Sequence, residues 1–511
     1  MVDSNALFGR LQPGRAGALQ TFATALIGVV AMGAAAIGLS GPAQALPSFA
    51  RQTGQPCGTC HTDYPGLTPY GRLFKMNGYT AGGGRFKTAP FSFGNNNATK
   101  ALAAYAKATD QTIGAAPTKT DAKDTRDVYV PAIAAMAVFG YTHTQQPQDA
   151  GDIAPYRTND NLTMPQLSLF WGGAITNHIG AFSQWTYDGR EQWGWDNQDI
   201  RYSNTGMLGA MDVIYGISAD NNPTMGDPWN TVPAWGFPYM DAGDPIMPGP
   251  AASTLIDGGV EQAVAGAGAY AFFNNLVYLQ LSGYHSINPD ALGRLGAGIG
   301  APDVGMIDGI APYWRAAIEP HWGRHWLEFG TFGMSARIHP WVDQNLQMTS
   351  GLTDRYTDIA FDTQYQYQGD NYWLTLRGTF IHEYQSLDAT YNDPNIMGAA
   401  NPTNTLNTLK LYASLAYGND NRFVLSGQYF DTWGSEDTGL YGGNPGCACS
   451  PNSNGFVAEL AYIPFMNSNS PVWPWANARI GLQYTYYNEL DGSTVGAQDK
   501  NTLFLYAWFA M

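Results

Sequence analysis

The segment Ile359-Ala360-Phe361-Asp362-Thr363-Gln364-Tyr365-Gln366-Tyr367 decides how the chain is read. Ile359, Phe361, Thr363, Tyr365 and Tyr367 share one face of an extended chain, and Ala360, Asp362, Gln364 and Gln366 share the other. Side chains along a strand alternate sides, so this pattern makes one apolar and one polar surface. Ala478-Arg479-Ile480-Gly481-Leu482-Gln483-Tyr484-Thr485-Tyr486 repeats it, as does Leu409-Lys410-Leu411-Tyr412-Ala413-Ser414-Leu415. A polar face that carries Asp, Arg and Lys is not the inside of a sandwich core. A soluble sandwich or propeller would turn such residues outward. In a membrane barrel the polar face looks into the lumen and the apolar face meets lipid.

Working outward, sixteen such segments are expected: 126–143, 162–175, 179–189, 199–206, 210–219, 265–273, 276–286, 309–320, 326–337, 356–367, 371–384, 405–417, 421–433, 454–464, 475–489 and 500–511. Short turns (Thr176-Asn177-His178, Asn274-Asn275, Gln368-Gly369-Asp370, Gly418-Asn419-Asp420) alternate with long connections at 220–264, 287–308, 385–404 and 434–453. Outer-membrane barrels are built with short periplasmic turns and longer outer loops. An even strand count places both barrel ends on the periplasmic side. Such barrels usually end in an aromatic residue, and Met511 departs from that.

Composition points the same way. Of 511 residues, 44% are hydrophobic and only 13% are charged, against about 25% charged in soluble domains. Beyond the N-terminus no apolar run is long enough for a membrane helix. With 15 Trp, 30 Tyr and 23 Phe the chain is not of the disordered class. A net charge of −16 argues against nucleic acid, whose phosphates need basic patches. The expected fold is therefore all-β, an antiparallel transmembrane barrel of about 16 strands over residues 126–511.

Residues 1–45 read as a signal peptide. Arg10 and Arg15 supply positive charge, Ala25 to Leu39 an apolar stretch, and Ala43-Gln44-Ala45 a cleavage site before Leu46. Next comes Cys57-Gly58-Thr59-Cys60-His61, the C-x-x-C-H signature of covalent haem attachment. Two thiols add across the porphyrin vinyl groups, and the adjacent imidazole reaches the iron as proximal ligand. A thioredoxin-like dithiol lacks its βαβ context here, and a structural disulfide would not call for His61. Residues 46–88 are thus expected to be a short helical c-type haem segment, acting as plug or cap, and 89–125 a linker. Met76 is the tentative distal ligand, since a thioether opposite histidine raises the potential. Packing is its other reading, and His178, His321 and His325 are further candidates. Cys447 and Cys449 form a C-x-C pair suited to a disulfide, or to gripping a metal.

Together these features resemble the fused monohaem cytochrome–porins of the outer membrane, of which the outer-membrane iron oxidases are the functional type. The resemblance rests on Pro47 to Gly54, Cys57 to His61, Pro65 to Arg72 and Phe74 to Tyr79. Weaker matches follow at Asn222 to Asn230, Pro233 to Pro238 and Glu319 to His325. It implies one covalent haem c that takes electrons from an extracellular donor such as Fe(II). A periplasmic cytochrome or copper protein would receive them. Asp220, Asp227, Asp241, Asp244, Asp257 and Glu261 of the longest loop could concentrate Fe(II), or could simply be solvated acids. A diffusion porin with an accessory haem domain, or a conduit for a donor or acceptor other than iron, are the alternatives.

Overall fold

The computed structural model describes residues 46–84, 86–91, 97–109, 129–149, 156–187, 193–295, 305–340, 351–393, 396, 398–418, 421–442 and 449–511. The expected signal peptide and Cys447 lie outside these residues, as does most of the expected linker.

Sixteen long strands form one sheet: β1 (Ile133–Thr144), β2 (Asn161–Ala174), β3 (Ile179–Tyr187), β4 (Trp193–Leu208), β5 (Met211–Asp220), β6 (Val264–Phe273), β7 (Val277–Ser286), β8 (Ala311–Ile318), β9 (His325–His339), β10 (Asp354–Gln368), β11 (Tyr372–Ser386), β12 (Thr403–Tyr417), β13 (Phe423–Gly434), β14 (Ser453–Tyr462), β15 (Asn477–Glu489) and β16 (Thr502–Ala510). Each pairs antiparallel with the next, and β16 returns to β1, with Met136 opposite Ala510 and Thr144 opposite Thr502. The sheet is a closed cylinder with no free edge. Two-residue pairings at Met306–Ile307 and His321–Trp322 extend β9.

The alternation read from the sequence sorts the two faces. On β10, Ile359 and Phe361 are exposed on the outside, while Asp358, Asp362, Gln364 and Gln366 are buried inside. The outer surface carries Leu169, Ile217, Leu281, Phe329, Leu411, Leu425 and Leu460, all exposed. An apolar outside around a polar inside is the membrane-barrel arrangement, so the protein spans a membrane as an outer-membrane-type barrel. Among the described residues no helix is long and apolar enough to cross.

The connections keep the expected asymmetry. On the end where β1 begins and β16 finishes, six connections are short (175–178, 209–210, 274–276, 319–324, 369–371 and 418–422), while on the other end 188–192 is as short and the rest are longer. The connection 463–476, on the first of these ends, is longer than expected. Asn274 and Asn275 both adopt φ 51°, as the central pair of a type I′ turn requires, and the Leu276 N–H closes the turn on the Phe273 carbonyl at 2.8 Å. One strand begins well before its expected start: β4 opens at Trp193 rather than 199. The Trp-Gly-Trp-Asp-Asn-Gln stretch carries loop-forming residues, yet Trp193 packs on Tyr187 across the strand pair at 5.9 Å.

Protein occupies much of the inside of the barrel. The N-terminal segment from residue 46 and the connection 221–263 fold into it. From 221–263, Asp227 pairs with Arg315 of β8, Thr231 donates to Asp362 of β10, and Tyr239 meets Tyr412 of β12. The Ala242 carbonyl accepts from Thr163 of β2, and the Pro248 carbonyl accepts from Tyr487 of β15. The lumenal polar face is therefore buried against protein.

A charge on the lipid-facing side should be costly. Leu281→Arg, replacing a side chain that is 66% exposed near the middle of β7, should lower folding stability in bilayers by about 2–4 kcal/mol. Equilibrium folding into lipid vesicles measures it, and an unchanged midpoint would contradict a lipid-facing outer surface.

Candidate haem-binding site

Four helices build the lumenal plug: α1 (Pro47–Thr53), α2 (Cys57–Cys60), α3 (Pro69–Met76) and α4 (Asn97–Ala108). Their ends are legible locally. Pro47 and Pro69 occupy first-turn positions, where a missing N–H costs nothing. Thr68 caps α3 by accepting from the Gly71 N–H at 3.2 Å, and Gly54 ends α1 at φ 71°. α4 corrects the expected linker at 89–125. Ala98, Leu102, Tyr105 and Ala106 recur at helical spacing and form a buried face over α3.

Polar bonds tie the plug to the wall. Arg72 pairs with Glu319 at 2.9 Å and donates to Gln366 at 2.6 Å. Tyr79 donates to Asp199, and Tyr270 donates to the Met76 carbonyl at 2.7 Å. Lys75 donates to the Asp227 carbonyl at 2.6 Å, with its ammonium 4.6 Å over the Trp235 ring.

Between plug and wall lies a cavity of about 450 Å³, within the size range of ligand and cofactor pockets. Cys57, Cys60 and His61 all line it, with Phe49, Tyr64, Phe74, Phe170, Phe182, Tyr239 and Trp508 making much of the apolar wall. Gln166, Gln184, Asp196, Asn197, Glu261 and Gln262 supply a polar part, formed from β2, β3, β4 and the end of the connection 221–263. α3 approaches α2 so closely that a Cβ on Gly71 would stand 2.3 Å from the Cys60 carbonyl oxygen.

The chemistry of the triplet can be tested against its two readings. Neither Cys57 nor Cys60 is in a disulfide. Burial, with Cys57 beside it, pushes the Cys60 thiol up to about 12. A redox dithiol works through a thiolate with a lowered pKa, so this environment is the opposite of what it needs. Burial pushes His61 down to about 4, outweighing the carbonyls of Pro65 and Gly66 at 3.2 and 3.3 Å from its Nδ1. The imidazole is thus neutral, and with Nδ1 facing two carbonyls as the N–H donor, Nε2 is the basic ring nitrogen. That is the state of a histidine poised as a metal ligand. Three polar atoms on the same wall, Gln55 Oε1, Asn230 Oδ1 and Trp508 Nε1, have no hydrogen-bond partner among the described residues. Two thiols, an oriented neutral imidazole and an apolar cavity fit a covalently held haem.

The other candidate ligands do not line this cavity. Gly71, Phe74 and Lys75 present one face of α3 to it, and Met76 is the next step round the helix. The Met76 side chain, 1% exposed, belongs to the apolar cluster of Tyr70, Leu73, Leu102 and Tyr105. Met136 and Met240 are the methionines on the cavity wall. His178 bonds the Ser203 carbonyl at 3.1 Å, His325 bonds the Tyr365 hydroxyl at 2.8 Å, and His321 lies 6.5 Å from the Tyr105 ring.

The loop acids have protein partners. Asp220 accepts from Tyr284, Asp227 pairs with Arg315, Asp241 accepts from the Gly243 N–H, Asp244 from Asn161, Asp257 pairs with Lys410, and Glu261 accepts from Asn222. Only Glu261 of the six lines the cavity. Surrounding protein, with Asp196 nearby, pushes its carboxyl up to about 7. Among the described residues no group of three or more His, Cys, Asp or Glu side chains could hold a metal ion. Cys449 is disulfide-bonded, while Cys447 falls outside the described residues. Sequence reading missed Lys75 as a wall residue, although it stands inside the quoted Phe74-Lys75-Met76. Burial, with Arg201 nearby, lowers its ammonium to about 7.

Fold and site together define a sixteen-stranded outer-membrane barrel whose lumen is occupied by a C-x-x-C-H plug. No protein-family model and no curated protein matches the chain in sequence. Solved structures similar to it include in-vitro folded OmpT, an outer membrane protein of Vibrio cholerae, at 8% identity and TM-score 0.38, covering 74% of this chain and 96% of that one. The outer membrane channel DcaP of Acinetobacter baumannii is similar at 10% identity and TM-score 0.38, with coverage of 74% and 96%. Pseudomonas putida OprB is similar at 13% identity and TM-score 0.40, with coverage of 74% and 93%.

The His61 environment has a pH consequence for haem-free protein. Its folded pKa, about 4, lies below the value of about 6.5 in an unfolded chain. The unfolded state therefore binds more protons between these values, and stability falls as pH drops through that window. The imidazole resonance of selectively labelled His61 should stay neutral at pH 5. Titration near 6.5 would show that the ring is solvated.

Proposed function

We propose that the protein is an outer-membrane electron conduit in which Cys57 and Cys60 hold one haem c and His61 is its proximal ligand. Electrons enter from an extracellular donor, Fe(II) first among them, and leave to a periplasmic cytochrome or copper protein. The observation that carries this reading is the convergence of Cys57, Cys60 and His61 on one cavity inside the barrel. When bound, a haem supplies the one-electron chemistry, while the protein sets ligation, burial and access. α2 presents the two thiols, the Pro65 and Gly66 carbonyls fix the imidazole, and the aromatic wall excludes water. The Met466 carbonyl of connection 463–476 accepts from the Gly58 N–H at 3.0 Å, so α2 adjoins the short-turn end, where a periplasmic acceptor would approach. Iron oxidised at such a site would leave its insoluble ferric product outside the cell.

The second reading is a diffusion porin with an accessory haem segment. The barrel by itself favours it, since 16-stranded porins hold an aqueous channel and the architecture needs no cofactor. DcaP is named an outer membrane channel. Protein within the lumen supports the conduit reading, because an electron needs no water column whereas a solute does. A conduit for a donor or acceptor other than iron is the remaining variant.

Protein matured with covalent cytochrome assembly should show a Soret band that survives acid–acetone extraction. Cys57→Ala with Cys60→Ala should abolish it, and His61→Ala should change the ligand-field spectrum. Fe(II) should reduce the oxidised wild type, and proteoliposomes should leak small sugars no faster than controls. Rapid sugar flux with a haem that Fe(II) does not reduce would assign the porin reading instead.

A further inference from the structure

The loop joining α2 to α3 is gripped by the barrel wall behind His61. Within it the Thr62 N–H bonds the Gly66 carbonyl at 3.0 Å, and the Gly66 N–H bonds the Asp63 carbonyl at 2.6 Å. A Cβ on Gly66 would stand 2.3 Å from Asp63 Oδ1, so any side chain there would displace the Asp63 carboxylate. This turn carries both carbonyls that face His61 Nδ1, those of Pro65 and Gly66.

Two groups of wall residues clamp the turn. Asp63, fully buried, accepts at Oδ2 from the hydroxyls of Tyr412 and Ser414 on β12 and of Tyr239 from the connection 221–263; its Oδ1 accepts from Thr62. Tyr239 in turn accepts from Arg377 of β11 at 3.2 Å. On the other side, Arg479 of β15 donates to the Tyr64 carbonyl. Its remaining nitrogens are taken by Glu459 and by the Tyr506 hydroxyl at 2.8 Å, so the guanidinium has no slack. Two strands, β12 and β15, and the folded connection 221–263 thus bond residues 63 and 64 directly, with β11, β14 and β16 supporting them from behind.

We infer that Tyr412 and Arg479 are positioning residues for His61: through Asp63 and Tyr64 they hold the backbone carbonyls that receive the Nδ1–H. The inference rests on the haem reading of the cavity. A hydrogen bond from the second ring nitrogen fixes the tautomer and raises the basicity of the ligating one, and partners one step removed from a metal tune it. A more basic imidazole favours the ferric form. Slackening the turn weakens the bond, lowers that basicity and raises the reduction potential. The closed barrel is then the scaffold that sets ligand strength, and the plug alone would not reproduce it.

The test uses haem-loaded, full-length protein in detergent or nanodiscs. Tyr412→Phe removes one hydroxyl, and Arg479→Gln removes the clamp on Tyr64. Tyr270→Phe is the control: it cuts a plug–wall bond at the Met76 carbonyl, at the far end of α3. Spectroelectrochemistry and the iron–imidazole stretch by resonance Raman are the readouts. Both clamp variants should raise the potential, at the scale of a tenfold change in the reduced-to-oxidised ratio, or about 59 mV for one electron. The stretch should fall, and Tyr270→Phe should leave both unchanged. If Arg479→Gln does not fold, Tyr412→Phe carries the test alone. An unmoved potential and stretch in Tyr412→Phe, or an equal shift in Tyr270→Phe, would overturn the inference while leaving the haem in place. Wild-type protein with no covalent haem would instead overturn the reading of the site, and the inference with it.

Discussion

Arg315 has no exposed surface to speak of, and its guanidinium is shared among Asp227, Glu328 and Asp362 at 2.6–3.1 Å. Removing one partner from such a buried cluster typically costs about 3–5 kcal/mol, because the charges left behind have no water to turn to. Most of the interior depends on this constraint. Arg315 joins three wall strands to the folded connection 221–263 through Asp227, and the Asp227 carbonyl in turn accepts from Lys75 of the plug. Arg72 with Glu319, Arg201 with Asp199, and Arg479 with Glu459 repeat the arrangement around the barrel. A lumenal face written in Asp, Glu, Arg and Gln needs either bulk water or a polar filling. Here the filling is protein.

This interlock gives the cysteine–histidine segment a setting that a free peptide of its length would lack. Small chains bury too little surface to hold a shape unaided. Inside the barrel, helices of only four to eight residues around the motif are held by wall contacts from several sides. The same enclosure keeps His61 neutral and Cys60 a thiol, and it leaves an apolar cavity with a polar part. For the proposed conduit, protein folded into the lumen suits the traffic: an electron passes between groups a short way apart without the water column that a solute needs.

Much of the fold is legible in the residues because membrane strands obey a local rule. Ile359 and Phe361 must face lipid while Asp362 and Gln364 must not, so period-two patterning marks each strand whatever its neighbours are. The structure bears out sixteen strands with the expected turn asymmetry. The late start expected for β4 shows the limit, since Trp193 is in a strand because Tyr187 lies across from it. The helix Asn97–Ala108 was read as linker because its Ala, Lys and Thr are common in both, and only Leu102 and Tyr105 against the plug settle the matter.

Of the site, the C-x-x-C-H spacing was legible because two cysteines and a histidine within five residues must share one small patch of any fold. Met76 was not, because one step around α3 separates the cavity face from the apolar cluster, and nothing local says which face is which. Lys75, Trp508, Tyr412 and Arg479 come from sequence positions hundreds of residues apart or from a face that composition does not mark. The sequence by itself therefore determined what each strand shows to lipid and which residues could bind a haem. The tertiary structure alone decided what fills the lumen and which groups surround those residues, because burial and pairing depend on the elements brought to the other side of the contact.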